Sequence, residues 1–279
     1  MKIKSFAKIN YFLHVLNKRK DGFHNIQTAF QEIDLCDELE ILPSEHFEFK
    51  CNNNLIHAEN NTCAHAFKIL KKKFPASVSN VSIFLKKKTP IGSGLGGGSS
   101  NGTATLKALN AMFSLKLDAE DLEKLSLEIG SDCPFFVRGG LQLGTNRGET
   151  LTPSSIKPEK YFVLVSSQTG VSTKTAFSSL KNNLFHPQDV VNLATFENLL
   201  INNKYNHKLF NNRFEMYVFK THPEIGIIKK AILESGADFA SLSGTGSTVF
   251  GVFSSSKKAK KAAEALSRSH NVVLSKPRY

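Results

Sequence analysis

Five glycines followed by two serines form the segment of the sequence best suited to bind an anion. Glycine has no Cβ atom, so a glycine-rich segment can wrap tightly and turn its backbone N–H groups inward. A helix that begins at Ser99 or Ser100 would add unpaired N–H donors and a positive dipole end at the same place. The segment therefore predicts a phosphate site. Its candidate residues are Pro90, Ile91, Gly92, Ser93, Gly94, Leu95, Gly96, Gly97, Gly98, Ser99 and Ser100.

Three nucleotide-binding patterns compete for this segment, and a flexible turn without a ligand is the remaining alternative. The P-loop pattern fails because no lysine follows any of the glycines. The dinucleotide pattern matches at Gly92, Gly94 and Gly97, but it requires a second parallel strand ending in an acid. Here a second helix follows, capped by Asp118, which disfavours a dehydrogenase. The pattern that fits, with one additional glycine, is Pro-x-x-x-Gly-Leu-Gly-x-x-Ser-Ser, whose serines can bond phosphate oxygens or place Mg²⁺.

Two other segments carry side chains that could assist phosphoryl transfer. Residues Lys8 to Leu16 alternate as a strand does, so Lys8 and Asn10 project from the same face. Asp132 follows a helix-stopping glycine and precedes a proline, which fixes it on a turn. Taken alone, Asp132 is equally well explained as a turn former, and Lys8 as a solvated side chain at a sheet edge.

Composition limits the class of protein. The chain has 279 residues, 41% of them hydrophobic and 22% charged, which is typical of one large or two ordinary globular domains. Its formal charge of +12 favours anionic partners such as nucleic acid, an acidic membrane or polyphosphates. We interpret the runs of lysines as solvated faces. Residues 86–88 are the exception, because they lead directly into the glycine segment. The four cysteines lack CxxC spacing, and no leader or membrane span is evident, so we expect reduced thiols and a cytoplasmic protein.

The elements that must position these residues follow from periodicity and capping signals. A change in composition from Pro153 to Pro158 predicts two domains, residues 1–155 and 156–279. Because helices and strands group by segment, the expected fold class is α+β. The predicted elements are strands at 8–16, 27–42, 81–85, 161–165, 238–242, 248–253 and 271–274, and helices from 60 or 61 to about 73, from 99 or 100, from 118, at 222–235 and at 257–268. The last strand, helix and strand are expected to form a βαβ unit.

The glycine segment resembles the second motif of the GHMP small-molecule kinases. Three other regions extend the resemblance: residues 7–13 with 20–24, residues 130–136, and the second glycine turn at 243–247. They occur in the family's order between residues 7 and 250. Residues 7–13 with 20–24, and residues 130–136, are most similar to the branch of the family whose acceptor is 4-diphosphocytidyl-2-C-methyl-D-erythritol. That branch acts in the non-mevalonate route to isoprenoid precursors.

The resemblance implies a two-domain fold and a kinase mechanism. An N-terminal domain like the second domain of ribosomal protein S5 would hold ATP, a C-terminal ferredoxin-like domain would follow, and the acceptor would lie between them. Asp132 would be the catalytic base, and Lys8 would lower its pKa and offset transition-state charge. Asn61 would lie near the nucleotide, although simple helix capping explains it equally well. Mg²⁺ would accompany ATP, held mainly by phosphates, with no dedicated protein site.

The same resemblance implies a subsite for the cytidine of the acceptor. Phe23 would offer a flat face to the pyrimidine, and His24 would offer ring nitrogens to its hydrogen-bonding edge. The family commonly has tyrosine at the position of Phe23, so stacking is retained and any contact of a phenol oxygen is lost. Asn10, Thr175 and Phe177 would complete the acceptor site.

Three alternatives remain open from the sequence. One is another GHMP kinase with a different alcohol. Another is a basic RNA-binding protein, whose affinity would fall steeply with salt. The third is the disfavoured dehydrogenase, which would bind NAD and turn over no ATP. The kinase interpretation implies two small-molecule partners, without nucleic acid or membrane, and leaves the oligomeric state open.

Overall fold

Residues 1–167, 169–180 and 190–279 are described by a computed structural model, and they divide into two units. Strand β1 (Lys2–Lys18) and strand β2 (His24–Pro43) run from one unit into the other. The predicted division at residue 155 stays a prediction. Unit 1 comprises Met1–Ala7, Leu35–Ile91 and Gly96–Gly139, and unit 2 comprises Lys8–Asp34, Gly92–Leu95 and Gly140–Tyr279.

Unit 1 packs helices against one end of a sheet. The second half of β2 pairs antiparallel with β4 (Val81–Lys86), which pairs in parallel with β3 (Glu48–Cys51). Inward residues of these strands and of the helices form one core, which includes Ile41, Ile83 and Leu106. The helices are α1 (Thr62–Lys73), α2 (Gly97–Met112), α3 (Ala119–Leu127) and α4 (Phe135–Arg138).

Unit 2 contains the first half of β2, which pairs with β5 (Leu141–Thr145), and β5 pairs in turn with β6 (Thr150–Pro153). A second, antiparallel sheet consists of β7 (Tyr161–Ser166), β8 (Phe239–Leu242), β9 (Thr248–Phe253) and β10 (Asn271–Ser275). Its order is β10-β7-β9-β8, which together with the helices of this sheet is the β-α-β-β-α-β arrangement of ferredoxin-like folds. Its helices are α5 (Thr173–Ser179), α6 (Leu193–Ile201), α7 (Glu215–Thr221), α8 (Pro223–Glu234) and α9 (Ser256–Leu266).

The predicted α+β class and most predicted elements are confirmed. Two corrections concern detail. Strands β9 and β10 flank α9 as predicted, but β7 lies between them, so the βαβ unit is a split one. Strand β1 alternates as predicted, yet residues Lys8 to Val15 are buried on both faces. The alternation predicts a strand, but it does not predict which face meets solvent.

Candidate active site

The first half of the glycine segment, Gly92–Leu95, is held inside unit 2 by the second glycine turn. The Gly94 carbonyl accepts a hydrogen bond from the Ser243 hydroxyl, at 3.0 Å. The backbone N–H of Thr248 donates to the Ser93 carbonyl, also at 3.0 Å. Gly94 has φ +80°, and a Cβ atom there would overlap the Ser243 carbonyl. The two predicted glycine turns are therefore packed backbone to backbone.

Lys8 lies at this junction, and only 3% of it is exposed. Its ammonium donates to Asn10 Oδ1 at 2.7 Å and to the Gly94 carbonyl at 3.0 Å. The Phe30 ring lies beneath it, with the centroid 5.5 Å from Nζ. Asn10 is fixed in turn, because its amide donates to Thr28 Oγ1 at 2.8 Å. The solvated sheet-edge interpretation of Lys8 is thus excluded, and Lys8 and Asn10 do lie together as predicted.

Asn212 supports the second glycine turn and was not predicted. Its side-chain amide donates to the carbonyls of Leu242 and Gly244, at 2.8 and 2.7 Å, and its oxygen accepts from the Phe214 N–H. Asn212 is buried, so these bonds satisfy carbonyls that water does not reach. The sequence separation of about thirty residues leaves no local signal for this role.

The second half of the glycine segment begins helix α2 in unit 1. The helix starts at Gly97, after Gly96 at φ +67°, two or three residues earlier than the predicted start at Ser99 or Ser100. A left-handed residue reverses the chain immediately before the helix, so the first turn contains glycines as well as Ser99 and Ser100. The Ser100 hydroxyl is buried and accepts from Ser5 Oγ at 2.8 Å. Of the first two residues of the segment, Pro90 is half-buried and Ile91 is exposed.

Asp132 is half-buried on a turn that the first turns of α2 anchor. The Cys133 N–H donates to the Gly130 carbonyl at 3.1 Å, and Thr103 Oγ1 donates to the Cys133 carbonyl at 2.9 Å. Burial raises the pKa of the Cys133 thiol to about 12, against the opposing effect of a side-chain hydrogen bond with Ser99. One predicted phosphate residue, Ser99, and the predicted base, Asp132, therefore both adjoin Cys133.

Asn61 caps helix α1. Its side-chain oxygen accepts from the Ala64 N–H at 2.9 Å, while its amide donates to the carbonyls of His57 and Ala58. The capping interpretation is confirmed, and the predicted nucleotide contact of Asn61 stays a prediction.

The predicted cytidine residues lie in unit 2 beside two partners. Phe23 is 50% exposed, and the guanidinium carbon of Arg147 lies 3.9 Å from its ring centroid. The His24 ring stacks on Phe177, with centroids 5.3 Å apart and planes at 25°. Burial, with a smaller effect from Lys18, lowers the pKa of His24, which favours a neutral ring. Arg147 was not predicted, because nothing in its local sequence points to Phe23.

The remaining acceptor candidates lie on helix α5. Phe177 packs edge-on against Phe214, with centroids 4.8 Å apart, and this contact holds the ring that faces His24. Thr175 lies in the first turn of α5, where its N–H donates to the hydroxyl of the capping residue Ser172 at 3.3 Å. Its side chain is exposed.

The described residues contain neither a clustered metal site nor a membrane span. Over residues 1–167, 169–180 and 190–279, no group of three or more histidine, cysteine, aspartate or glutamate side chains is arranged to hold a metal ion. Over the same residues, every helix is too short or too polar to cross a bilayer.

Family models match both halves of the chain. The model of the GHMP kinases N terminal domain matches residues 61–140, and that of GHMP kinases C terminal matches residues 192–272. The fold, with its two packed glycine turns, is therefore that of a GHMP kinase.

Comparison with individual proteins shows which branch of the GHMP kinases the chain resembles. A 4-diphosphocytidyl-2-C-methyl-D-erythritol kinase of Thermodesulfovibrio yellowstonii is 38% identical over 93% of this chain and 92% of its own length. The enzyme of that name from Chloroherpeton thalassium is 36% identical over 98% and 96%. A crystal structure of 4-(cytidine 5'-diphospho)-2C-methyl-D-erythritol kinase is 26% identical, covers 100% of both chains and has a TM-score of 0.83. The chain belongs to the family of 4-diphosphocytidyl-2-C-methyl-D-erythritol kinases.

Proposed function

We propose that the chain transfers the γ-phosphate of ATP to the 2-hydroxyl of 4-diphosphocytidyl-2-C-methyl-D-erythritol. Family membership makes it a kinase with ATP as co-substrate, and the relatives' names support the acceptor. The basic charge of the chain, +12, suits two polyphosphate substrates.

One observation in unit 1 carries the proposal. The turn with Asp132 is tied to the second turn of α2 by the hydrogen bond from the Thr103 hydroxyl to the Cys133 carbonyl. In the proposed site, the N–H groups at the start of α2 bind ATP phosphates, and Asp132 accepts the proton of the attacking hydroxyl. A base fixed relative to the phosphate-binding helix gains from positioning, which contributes most of the catalysis in phosphoryl transfer.

Lys8 is proposed as the cation that offsets charge in the transition state. Its ammonium is buried and oriented by Asn10 and the Gly94 carbonyl. A preoriented charge in a water-poor site requires little reorganisation during the reaction, which is the basis of electrostatic catalysis. Asn10, bonded to Thr28, keeps that orientation.

The acceptor's cytosine is proposed to bind among Phe23, His24 and Phe177. The exposed Phe23 ring offers a stacking face, and the Arg147 guanidinium holds that ring from one side. The neutral His24 ring, stacked on Phe177, can present one donor and one acceptor to the base.

Mg²⁺ is proposed to arrive with ATP and to be held mainly by the phosphates. The oxygen atoms of Ser99 and Asp132 are of the type that Mg²⁺ prefers, so these residues fit such an ion. When bound, the ion would neutralise charge on the phosphates.

The test is ADP release with a panel of alcohols, in wild type, Asp132→Asn and Lys8→Ala. We expect turnover only with the cytidylated methylerythritol, with galactose, homoserine and mevalonate inactive. Asp132→Asn should lose at least about two orders of magnitude in kcat, typical of a general base, while still binding ATP. Lys8→Ala should lower kcat more than it raises KM. Turnover of the methylerythritol without its cytidine would reject the cytosine subsite, and near-normal turnover in Asp132→Asn would reject the assigned base.

A further inference from the structure

A buried carboxylate in unit 1 has four hydrogen-bond donors and no role in the mechanism above. Asp37 is fully buried. Its Oδ1 accepts from the backbone N–H groups of Lys88 and Thr89, at 2.8 and 2.7 Å. Its Oδ2 accepts from the Lys87 ammonium and from the Asn101 amide, the latter at 2.9 Å. Four donors around one carboxylate compensate for its removal from water.

These donors come from both ends of the glycine segment. Lys88 and Thr89 immediately precede it, at the exit of β4, and Asn101 follows it in helix α2. The Asn101 amide also donates to Ser5 Oγ, which donates to the Ser100 hydroxyl, each at 2.8 Å. Asp37 therefore joins the chain that enters the segment to the helix that leaves it.

The Lys87 ammonium occupies the space beside the first residue of α2. A Cβ atom on Gly97 would lie 2.6 Å from Lys87 Nζ and 2.9 Å from Thr89 Cγ2. Gly97 lacks a positive φ, so the backbone conformation does not require a glycine at this position. The close approach of Lys87 and Thr89 does require one. The Lys87 side chain is only 6% exposed, and Asp37 balances its charge. The Lys87 ammonium is therefore the counter-ion of Asp37, and it lies beside the first residue of α2.

We infer that Asp37, together with Lys87, is a positioning residue for ATP, an inference that rests on the proposed function. By fixing the β4 exit and the start of α2 together, the pair sets the direction in which the N–H groups of that helix point. Errors of about 1 Å in such positioning cost large factors in rate. Removal of the Asp37 charge leaves the Lys87 ammonium buried without its partner, so the helix start must shift or admit water.

The experiment compares Asp37→Asn with Glu38→Gln by calorimetric titration with ATP and, separately, with CDP. Glu38 is the matched control, since it is the next residue of β2 and pairs with Lys86 and Lys88 on an exposed face. We expect Asp37→Asn to weaken ATP binding at least about tenfold, equal to 1.4 kcal/mol, and CDP binding less than twofold. KM for ATP should rise while KM for the acceptor does not, a split that a general loss of folding would not produce.

A second variant covers the case in which Asp37→Asn fails to fold. Asn101→Ala removes the amide hydrogen bonds to Asp37 and Ser5 and keeps the Lys87–Asp37 ion pair. It should weaken ATP binding at least threefold and spare CDP. Equal loss of ATP and CDP, the same loss in Glu38→Gln, or unchanged ATP affinity in both test variants would each overturn the inference. Wild-type protein that binds no ATP would instead overturn the proposed function, and the inference with it.

Discussion

Replacing Gly94 by alanine is the sharpest single test of how the two glycine turns pack in unit 2. The change adds one methyl group at a residue with φ +80°, where the methyl would overlap the Ser243 carbonyl. The backbone at residue 94 must therefore move away from Ser243. That movement breaks the bonds that the Gly94 carbonyl accepts from the Lys8 ammonium and the Ser243 hydroxyl, both at 3.0 Å.

The magnitude follows from these contacts. A left-handed conformation costs a residue with a Cβ atom about 1–2 kcal/mol. A neutral hydrogen bond contributes about 0.5–1.5 kcal/mol, and one from a charged group about 1.5–3 kcal/mol. The change should therefore lower the free energy of unfolding by roughly 3 kcal/mol or more.

Gly92 and Gly98 provide the comparison. Gly92 has φ +63°, but a Cβ atom added there would meet no atom within 4 Å, so alanine should cost only the conformational energy of about 1–2 kcal/mol. Gly98 is helical and equally open, so alanine should stabilise α2 by about 0.5–1 kcal/mol.

Thermal unfolding followed by circular dichroism, without ligands, measures the series. With about 2–4 °C per kcal/mol for a protein of roughly this size, Gly94→Ala should lower the midpoint by at least about 6 °C. Gly92→Ala should lower it by about half as much, and Gly98→Ala should raise it slightly. Equal shifts for Gly94→Ala and Gly92→Ala would show that the approach of the Ser243 carbonyl contributes nothing, and the packing described above would be refuted.

Two further predictions concern titratable groups. Because burial and Lys18 lower the pKa of His24 from 6.5, the ring stays neutral at pH 7, and CDP affinity should fall only as the pH drops through that lowered pKa. The dependence should vanish in His24→Gln, whereas affinity that increases toward low pH would contradict a neutral ring at the base. Burial raises the pKa of Cys63 and Cys133 to about 12, so a thiol reagent at about pH 8 should modify the other two cysteines of the native protein and all four after denaturation. Mass spectrometry of the labelled protein checks this, and labelling of Cys133 in native protein would show that its turn opens.

Local signals explain what the sequence could predict. Asn61 and Asp118 cap α1 and α3 as expected, because each side chain accepts from an N–H three residues ahead. Strand periodicity puts Lys8 and Asn10 on one face, and they are hydrogen-bonded to each other. Such features depend on neighbours within a few residues, so they can be predicted from the sequence alone.

Tertiary contacts explain what the sequence could not predict. The donors to Asp37 lie 50 to 64 residues away, and Asn212 supports carbonyls about thirty residues away. The burial of Lys8 depends on segments that pack over β1, which alternation does not report. The predicted start of α2 is wrong because serine is the stronger helix-capping signal, whereas here a left-handed Gly96 performs that reversal.

Packing within the protein explains why Gly94 and Gly97 are glycines, but it does not explain Gly98. Gly94 admits the Ser243 carbonyl, and Gly97 admits the Lys87 ammonium. Gly98 lacks a positive φ, and a Cβ atom added to it would meet no described atom within 4 Å beyond its chain neighbours and the adjacent backbone of its own helix. Alanine would favour the helix there. We propose that a phosphate at the helix start uses the space beside Gly98. Gly98→Ala should melt at a higher temperature than wild type yet bind ATP more weakly, and a variant that gains both stability and ATP affinity would remove the phosphate from that position.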